Sequence, residues 1–145
     1  MRVLVQRVSK GAVMIDGQVK AKIGTGLVLL VGVTTGDTAA DAAKLARKTA
    51  NLRIFTDDAG KLNLSVKDIG GEALAVSQFT LYADTSRGNR PSFGAAADPE
   101  TANLLYEEYV KCLKAEGVSV QTGVFQASML VEIANDGPVT ILLES

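Results

Sequence analysis

The sequence of 145 residues contains no histidine and no tryptophan, only three prolines and a single cysteine. Without histidine, the chain lacks the commonest general base and the commonest metal ligand of proteins. The single cysteine, Cys112, excludes an internal disulfide and, with histidine absent, argues against a zinc site. Catalysis would therefore rest on hydroxyls, carboxylates, backbone groups or the substrate itself, and we expect neither a metal nor a cofactor.

Long apolar runs and a large charge of one sign are also missing. The longest apolar run, Leu27 to Val33, is far too short to cross a bilayer. Arg2 to Val8 alternates between polar and apolar residues, unlike a secretory signal, so we expect a cytoplasmic protein that contacts no membrane. The net charge of −1 offers no broad basic surface, so any RNA partner would be held at a local patch and a shaped pocket.

The composition and pattern of the remaining residues indicate an ordinary folded domain rich in strands. Apolar residues make up 47% of the chain and charged residues 21%, and we expect one domain over residues 1–145. Asp16-Gly17 between two alternating segments is a strong hairpin signal. Nine segments have strand-like sequences, which predicts about eight strands: 2–8, 12–15, 18–23, 26–33, 52–55, 73–82, 118–122, 128–134 and 139–143.

Two helices are predicted between these strands. Asp37 is expected to cap the first helix, and Asp98 the second, which has Pro99 at its first position and ends before Gly117. The first helix would bury Ala42, Leu45, Ala46 and Thr49. The second would bury Leu104, Leu105, Tyr109, Cys112 and Leu113, with Cys112 as a small core residue. Many strands with two isolated helices indicate an α+β fold.

The segment Ser77 to Tyr82 places polar residues at the end of an apolar strand, where rigid structure can hold reacting groups. Ser77 and Thr80 are hydroxyl candidates for chemistry. The successive backbone N–H groups of Gln78, Phe79 and Thr80 can form an oxyanion hole. The alternative is a strand that simply ends in a polar turn.

A second candidate is Asn135 to Thr140, where Gly137-Pro138 separates two apolar runs. This dipeptide predicts a rigid turn that can contain a cis bond. Gly137 would allow a ligand to approach the backbone closely, and Pro138 would fix the directions of nearby carbonyls. A plain structural turn is the alternative.

Other polar segments have weaker functional interpretations. Arg87 and Arg90 lie in a long polar loop and either contact phosphates or remain solvated. Three aspartates occupy turn sequences, in which their carboxylates have local hydrogen-bonding roles and a metal cluster is only a weak alternative: Asp57, Asp58 and Asp68.

Together, these motifs resemble the two signatures of the D-aminoacyl-tRNA deacylase family. Ser77-Gln78-Phe79-Thr80-Leu81 matches the first signature and Asn135-Asp136-Gly137-Pro138-Val139-Thr140 the second, with 57 residues from Thr80 to Gly137. The resemblance covers essentially the whole chain. It includes the shorter segments Gln6-Arg7-Val8, Asn51 to Phe55, Asn63-Leu64-Ser65, Arg90 to Phe93 and Thr122-Gly123.

The resemblance implies a homodimer of α+β subunits with barrel-like antiparallel and mixed sheets and two main helices. It implies an esterase that releases D-amino acids, or glycine, from the 3′-terminal adenosine of tRNA. The site would lie at the dimer interface, where a Gly-Pro turn with a cis bond enters the partner's pocket. Catalytic residues would be Ser77, Gln78, Phe79 and Thr80, and substrate-binding residues Arg7, Met129, Asn135, Gly137 and Pro138.

The implied mechanism agrees with the absence of histidine. An aminoacyl ester is already activated, and backbone N–H groups near Phe79 and Thr80 would stabilise the oxyanion by roughly 3–4 kcal/mol per well-placed donor. The substrate's own 2′-hydroxyl would help to activate water. Thr80 is expected to orient the substrate rather than attack it, because no base is present to activate its hydroxyl.

Chiral selection would be steric in this mechanism. A D-residue would direct its side chain away from the Gly137-Pro138 wall, whereas an L-residue would drive its Cβ into it. Glycine, which has no Cβ, would be accepted. Arg7 is expected to hold the turn, and Met129 to line the pocket.

The sequence departs from the family pattern just before the turn. Gln126-Ala127-Ser128-Met129 stands where many relatives have Gly-Ala-Asp-Met, and Ile133-Ala134-Asn135-Asp136 replaces Leu-Val-Asn-Asp. Both signatures stay intact, but no role is assigned to a carboxylate at position 128. Two other classes stay open, an RNA-binding module without activity and a general hydrolase, and the lack of a nucleophile–base pair disfavours the hydrolase.

Overall fold

Six of the eight strands form one mixed sheet, in a computed structural model that describes residues 1–145. In chain order the elements are β1 Arg2–Ile15, β2 Gln18–Ile23, β3 Gly26–Gly32, α1 Ala39–Asn51, β4 Phe55–Thr56, β5 Leu62–Leu64, β6 Glu72–Ser77, a 3₁₀ turn Phe79–Tyr82, α2 Pro99–Ala115, β7 Ser119–Thr122 and β8 Leu130–Glu144. The short strands β4 and β5 pair only with each other.

The long strand β1 organises the sheet. On one edge it pairs with β3 and then with β2, and on the other edge with β8, in each case antiparallel. The strands β3, β6 and β7 lie side by side and run parallel. Because β2 also lies next to β6 and β7, the sheet curls towards closure. This arrangement confirms the predicted α+β class with a barrel-like mixed sheet and two helices.

Hydrophobic side chains alternate between the two faces of the sheet, as the period of a strand requires. On β3, Leu27 and Leu29 belong to a large cluster shared with both helices, whereas Val28 belongs to a second cluster. The buried members of the second cluster all lie on strands, so they fill the inside of the curled sheet. Burial on both faces explains why the sequence of β3 is a continuous apolar run.

The first helix begins one residue later than predicted. The carboxylate of Asp41 accepts hydrogen bonds from the backbone N–H of Thr38 at 2.9 Å and from its hydroxyl at 2.8 Å, which makes Thr38 the N-cap. The prediction that Asp37 caps this helix is wrong. Asp37 instead accepts from the backbone N–H of Thr34 at 2.7 Å and from the amino group of Met1.

The second helix begins as predicted. The Asp98 carboxylate accepts from the backbone N–H of Thr101 at 3.0 Å, and the chain leaves the helix at Gly117 with φ +93°. The predicted buried stripe is correct for Leu105, Tyr109 and Leu113. It is wrong for Leu104, which is 66% exposed, and Cys112 is only partly buried. Neither helix of the structure combines the length and apolar character that a membrane span requires.

Several predicted strand boundaries also differ from the structure. Segments 2–8 and 12–15 form one strand, and segment 52–55 contributes only Phe55 to a strand. The predicted strand 73–82 ends at Ser77, where the chain enters the 3₁₀ turn.

The predicted segments 128–134 and 139–143 form the single strand β8, which the Gly-Pro turn interrupts. Asn135 pairs with Val8 of β1 and Thr140 with Gln6, so residues 136–139 all stand opposite Arg7.

A buried hydrogen bond joins the two helices and predicts a stability effect. The Tyr109 hydroxyl donates to the Thr49 hydroxyl at 2.9 Å, and both side chains are fully buried. We expect Tyr109→Phe to lower the free energy of unfolding by about 1–2 kcal/mol, because a buried polar group loses its partner. Urea unfolding followed by circular dichroism measures the change. The double variant Tyr109→Phe/Thr49→Val should regain part of the loss; a Tyr109→Phe variant as stable as the native chain would contradict the prediction.

Candidate active site

A cavity of about 840 Å³ opens between the end of β6 and the start of α2. Its wall contains the predicted residues Ser77, Gln78 and Phe79, and also Met129, which was expected to line the pocket. Its volume falls in the range typical of small-molecule sites. Most other lining residues are apolar, among them Phe93, Ala97, Ala102 and Phe125.

None of the fourteen residues that line this cavity has an ionisable side chain. Its side-chain polarity comes from the hydroxyl of Ser77 and the amides of Gln78 and Gln126. No side chain of the cavity can therefore act as a general base, and the remaining chemical groups are backbone amides, one hydroxyl and whatever a ligand brings.

The backbone changes direction directly after Ser77. The N–H of Gln78 donates to the carbonyl of Val31 at 2.8 Å, so the prediction that this N–H helps to form an oxyanion hole is wrong. Phe79 and Thr80 begin the 3₁₀ turn, and the first N–H groups of a helical turn have no partner within it. These two N–H groups remain the candidate oxyanion donors.

Thr80 lies at the edge of the site with an exposed side chain, and it does not line the cavity. Its hydroxyl accepts a hydrogen bond from the side-chain amide of Gln78. An amide donor cannot remove a proton, so this contact positions the hydroxyl without activating it.

An aromatic pair forms one side of the cavity. The rings of Phe79 and Phe93 meet edge to face, with centroids 4.9 Å apart and an interplanar angle of 67°. Phe79 is 55% exposed in the single chain, so its ring is open to a further stacking partner. Arg87 and Arg90 lie on the loop before Phe93 and are exposed.

Arg7 holds the Gly137-Pro138 turn, as the sequence predicted. Its Nε donates to the carbonyl of Asp136 at 3.1 Å, and its Nη1 donates to the carbonyl of Ile54 at 2.8 Å. A single planar guanidinium thus ties the turn to the segment that follows α1. The peptide bond between Gly137 and Pro138 is cis.

Asn135 closes the turn from the other side. Its side-chain amide donates to the carbonyl of Arg7 at 3.1 Å and to that of Val139 at 3.0 Å, so one amide bridges the start and end of the interruption in β8. The residues between these anchors, from Asp136 to Pro138, are exposed. The turn is therefore fixed at its base and open to solvent at its tip.

Gly137 occupies a backbone conformation that strongly favours glycine. Its φ is +124°, and a Cβ added to it would lie 2.9 Å from Arg7 Nη2, 2.9 Å from Val139 Cγ2 and 3.1 Å from the Val139 nitrogen. Both the dihedral angle and the lack of space explain the absence of a side chain here.

The two signature motifs lie apart within one chain. Val131 lines the cavity, and Gly137 lies six residues further along β8, beyond Asn135, where the regular pairing with β1 is interrupted. Neither Gly137 nor Pro138 is among the residues that line the cavity. The turn is therefore not part of the wall of its own subunit's cavity.

Gln126 is the residue in the cavity wall with the least favourable backbone. Its φ is +61°, in the left-handed region where glycine is the preferred residue. The departure from Gly-Ala-Asp-Met noted in the sequence thus falls on a position with a conformational preference for glycine. Beside it, the sulfur of Met129 accepts from the N–H of Val124 at 3.4 Å.

The remaining candidates have local structural roles. Burial, together with the nearby carboxylate of Glu108, raises the pKa of the Cys112 thiol, which disfavours a thiolate nucleophile. The backbone N–H groups of Lys61 and Ser65 hold the pKa values of Asp57 and Asp68, respectively, below their usual range. No group of three or more acidic or cysteine side chains is positioned to hold a metal ion.

Comparison with known proteins decides the family. The model of a family described as D-Tyr-tRNA(Tyr) deacylase matches residues 4–144, nearly the whole chain. The chain belongs to this family.

Individual relatives agree with membership of the D-Tyr-tRNA(Tyr) deacylase family. A D-aminoacyl-tRNA deacylase from Carboxydothermus hydrogenoformans is 56% identical over 144 residues, 99% of each chain. A solved structure named c-Myc DNA unwinding element binding protein has a TM-score of 0.93 and 40% identity, and the match covers 100% of this chain and 99% of that one. A probable eukaryotic D-amino acid tRNA deacylase shares the fold, with a TM-score of 0.84 at 16% identity over 99% and 98% of the two chains. The predicted family and enzyme class, D-aminoacyl-tRNA deacylase, are confirmed.

Some residues of the site in this D-Tyr-tRNA(Tyr) deacylase family member were not predicted from its sequence. Phe93 lies in the Arg90 to Phe93 segment that carries the resemblance, so that segment contained a usable signal. Phe125 has no local motif and is brought to the cavity only by the fold. The carbonyl of Ile54 is a backbone group, and no side-chain pattern indicates which carbonyl Arg7 binds.

Proposed function

We propose that this protein hydrolyses the ester bond between a D-amino acid and the 3′-terminal adenosine of tRNA, releasing the amino acid and the tRNA. Family membership supports the reaction class, and the cavity without ionisable side chains is the observation that supports the mechanism. The family match over residues 4–144 also supports one deacylase domain spanning 1–145. We place the enzyme in the cytoplasm, where its aminoacyl-tRNA substrate is used.

The complete site in this proposal is shared between two copies of the chain. The cavity of one subunit would receive the Gly137-Pro138 turn of its partner, in a symmetric homodimer in which each subunit does the same. Two observations support this arrangement. The turn does not line its own subunit's cavity, and its tip is exposed although Arg7 and Asn135 hold its base.

The chemistry follows from the groups available in the cavity. The adenine would stack on the exposed ring of Phe79, and the ester carbonyl oxygen would point at the N–H groups of Phe79 and Thr80. Water, activated by the substrate's 2′-hydroxyl, adds to the carbonyl carbon to form a tetrahedral intermediate. Collapse of the intermediate breaks the bond to the 3′-oxygen, which leaves with a proton as the tRNA hydroxyl.

Chiral selection in this proposal depends on the wall formed by the partner's turn. A D-residue directs its Cβ away from Gly137 and Pro138, so its side chain contributes little to selection. An L-residue places its Cβ against this wall, and Arg7 and Asn135 prevent the wall from yielding. Glycine presents no Cβ, so we expect glycyl-tRNA to be hydrolysed too.

Hydrolysis of tyrosyl-tRNA in both configurations tests the function. We expect the protein to accelerate release of D-tyrosine from D-tyrosyl-tRNA at least tenfold over the spontaneous rate, to accept glycyl-tRNA, and to leave L-tyrosyl-tRNA at its spontaneous rate. Equal hydrolysis of the D- and L-substrates would contradict chiral selection. Binding of tRNA without acceleration on any of the three would favour the RNA-binding module instead.

The position of Thr80 predicts that its hydroxyl is not a nucleophile. Because it lies outside the cavity wall and has no base beside it, Thr80→Ala should retain deacylation of D-tyrosyl-tRNA within about threefold. Loss of a true nucleophile typically costs several orders of magnitude in kcat. Single-turnover rates measure the chemical step directly, with Thr80→Ser as the control that keeps the hydroxyl. A 1,000-fold loss in Thr80→Ala, restored in Thr80→Ser, would assign chemistry to this side chain.

A further inference from the structure

Positive charge is concentrated on one face of α1, outside the site described above. Lys44, Arg47 and Lys48 are neighbours on the exposed side of the helix, and Arg53 follows the helix end. They line a shallow depression of about 690 Å³ whose other lining residues are uncharged. These four residues are named the α1 basic face.

Neighbouring acids neutralise little of the charge on the α1 basic face. The carboxylate within ion-pair distance is that of Glu116, 3.6 Å from Arg47, and it is shared with Lys67 at 3.7 Å. Asp41, on the same helix, is bound to Thr38 in the N-terminal cap. A chain whose net charge is −1 therefore has a local excess of positive charge here, which is the property that attracts phosphates.

A short series of bonds connects the α1 basic face to the Gly-Pro turn. Arg53 precedes Ile54, whose carbonyl accepts from Arg7 at 2.8 Å. The same guanidinium donates to the carbonyl of Asp136, the residue before Gly137. The basic face and the turn therefore keep a fixed relation to each other.

A second group of lysines is less suited to bind phosphates. Lys111 and Lys114 line a recess beside α2, but Lys111 pairs with Glu108 at 3.1 Å and Glu107 lines the same recess. Acidic groups at this distance repel phosphates and reduce the local potential.

We propose that the α1 basic face binds the phosphate backbone of the tRNA whose terminal adenosine occupies the partner's cavity. This inference rests on the proposed function, because the turn carries the basic face to the mouth of the partner's cavity only in the shared site. RNA that leaves that cavity passes the subunit that supplies the turn. Lys44 and Lys48 are spaced about 6 Å along the helix axis, so they can contact neighbouring phosphates without reading sequence.

Charge reversal on the helix tests this proposal, with matched reversal elsewhere as the control. The variant Lys44→Glu/Lys48→Glu removes no ion pair, and Lys20→Glu/Lys22→Glu makes the same charge change at exposed positions of β2. The readouts are binding of deacylated tRNA at several salt concentrations, and kcat/KM for D-tyrosyl-tRNA and for 3′-O-D-tyrosyl-adenosine, which has no phosphate. Acidic residues near the end of α1 can destabilise the helix. The neutral variant Lys44→Gln/Lys48→Gln is therefore a control that removes the positive charges without adding negative ones.

The expected result is a loss confined to substrates with a phosphate backbone. Lys44→Glu/Lys48→Glu should weaken tRNA binding and kcat/KM for D-tyrosyl-tRNA by about tenfold or more, with a salt dependence reduced by about 1–2 in slope. Its kcat/KM for the adenosine ester should stay within twofold of the native value, and the neutral variant should show a smaller loss of the same kind. Native tRNA binding in both helix variants, or an equal loss in the β2 control, would overturn the proposal. If the native protein hydrolyses nothing, the proposed reaction fails while the binding measurements still decide the role of the α1 basic face.

Discussion

Replacement of Gly137 by alanine should reduce deacylation of D-tyrosyl-tRNA by about 100-fold or more, equivalent to about 2.7 kcal/mol of barrier. The φ of +124° is unfavourable for any residue with a Cβ, and the new atom would lie 2.9 Å from the Arg7 guanidinium and 3.1 Å from the backbone nitrogen of Val139. Neither contact can be relieved without moving the turn or the guanidinium that holds it. Single-turnover hydrolysis with D- and L-tyrosyl-tRNA measures the loss of rate and any loss of selectivity.

A second glycine provides the matched control for this substitution. Gly24 has an ordinary backbone conformation, and a Cβ there would approach nothing closer than the Glu72 carboxylate at 3.9 Å. Gly24→Ala should therefore retain native activity. Because the strain is confined to an exposed turn, Gly137→Ala should lose no more than about 1–3 kcal/mol of stability and remain folded in the assay, which urea unfolding checks. Native activity and native D/L discrimination in Gly137→Ala would remove the turn from the proposed site.

Mixing two inactive variants should restore activity if the turn acts in the partner's cavity. Gly137→Ala keeps an intact cavity but has a defective turn, whereas Ala127→Trp fills the cavity and keeps an intact turn. In a mixed dimer, the cavity of the first variant meets the turn of the second, which makes one native site. Random pairing of equal amounts gives about one quarter of the native number of sites, so activity should rise from about 1% to roughly 25%.

Co-expression of the two variants with different affinity tags allows the mixed dimer to be isolated by two purifications. Each variant purified alone provides the inactive baseline, and co-expressed native chains with the same tags provide the upper limit. If the turn served its own cavity, every subunit of the mixed dimer would retain one defect. The mixture would then be as inactive as its components, and that result would contradict the shared site.

Elements with strong local signals were predicted correctly from the sequence. Asp16 and Gly17 have positive φ values of 51° and 75°, as a tight hairpin turn requires, and Asp98 caps α2. The first helix was assigned the wrong cap because Asp37 and Thr38 are adjacent and both residue types favour the N-cap. The contacts of Asp37 with Met1 and Thr34 depend on the fold and leave no trace in the sequence.

Predictions about the site failed where backbone geometry, rather than residue type, decides. The segment Phe79 to Tyr82 has the aromatic and β-branched composition of a strand, but the structure forms a 3₁₀ turn there. Likewise, no sequence pattern shows that the Gln78 N–H is already bonded to Val31. Gly137 does not line the cavity, and this follows from the tertiary structure. The order of the two motifs along the sequence does not show how far apart they lie in the fold.

The interruption in β8 also changes which side of the sheet that strand serves. Between the pairs Asn135–Val8 and Thr140–Gln6, β8 advances five residues while β1 advances two, so the turn adds three residues, an odd number. Odd-numbered residues before the turn, such as Val131, pack inside the curled sheet, and those after it, such as Leu143, pack against the helices. Insertion or deletion of a single residue in the turn would make this count even and send one half of the strand's apolar side chains to the wrong face. The number of residues in the turn is therefore constrained in two ways. It must be odd to keep the apolar side chains of β8 on the correct faces, and it sets how far the tip extends from the sheet.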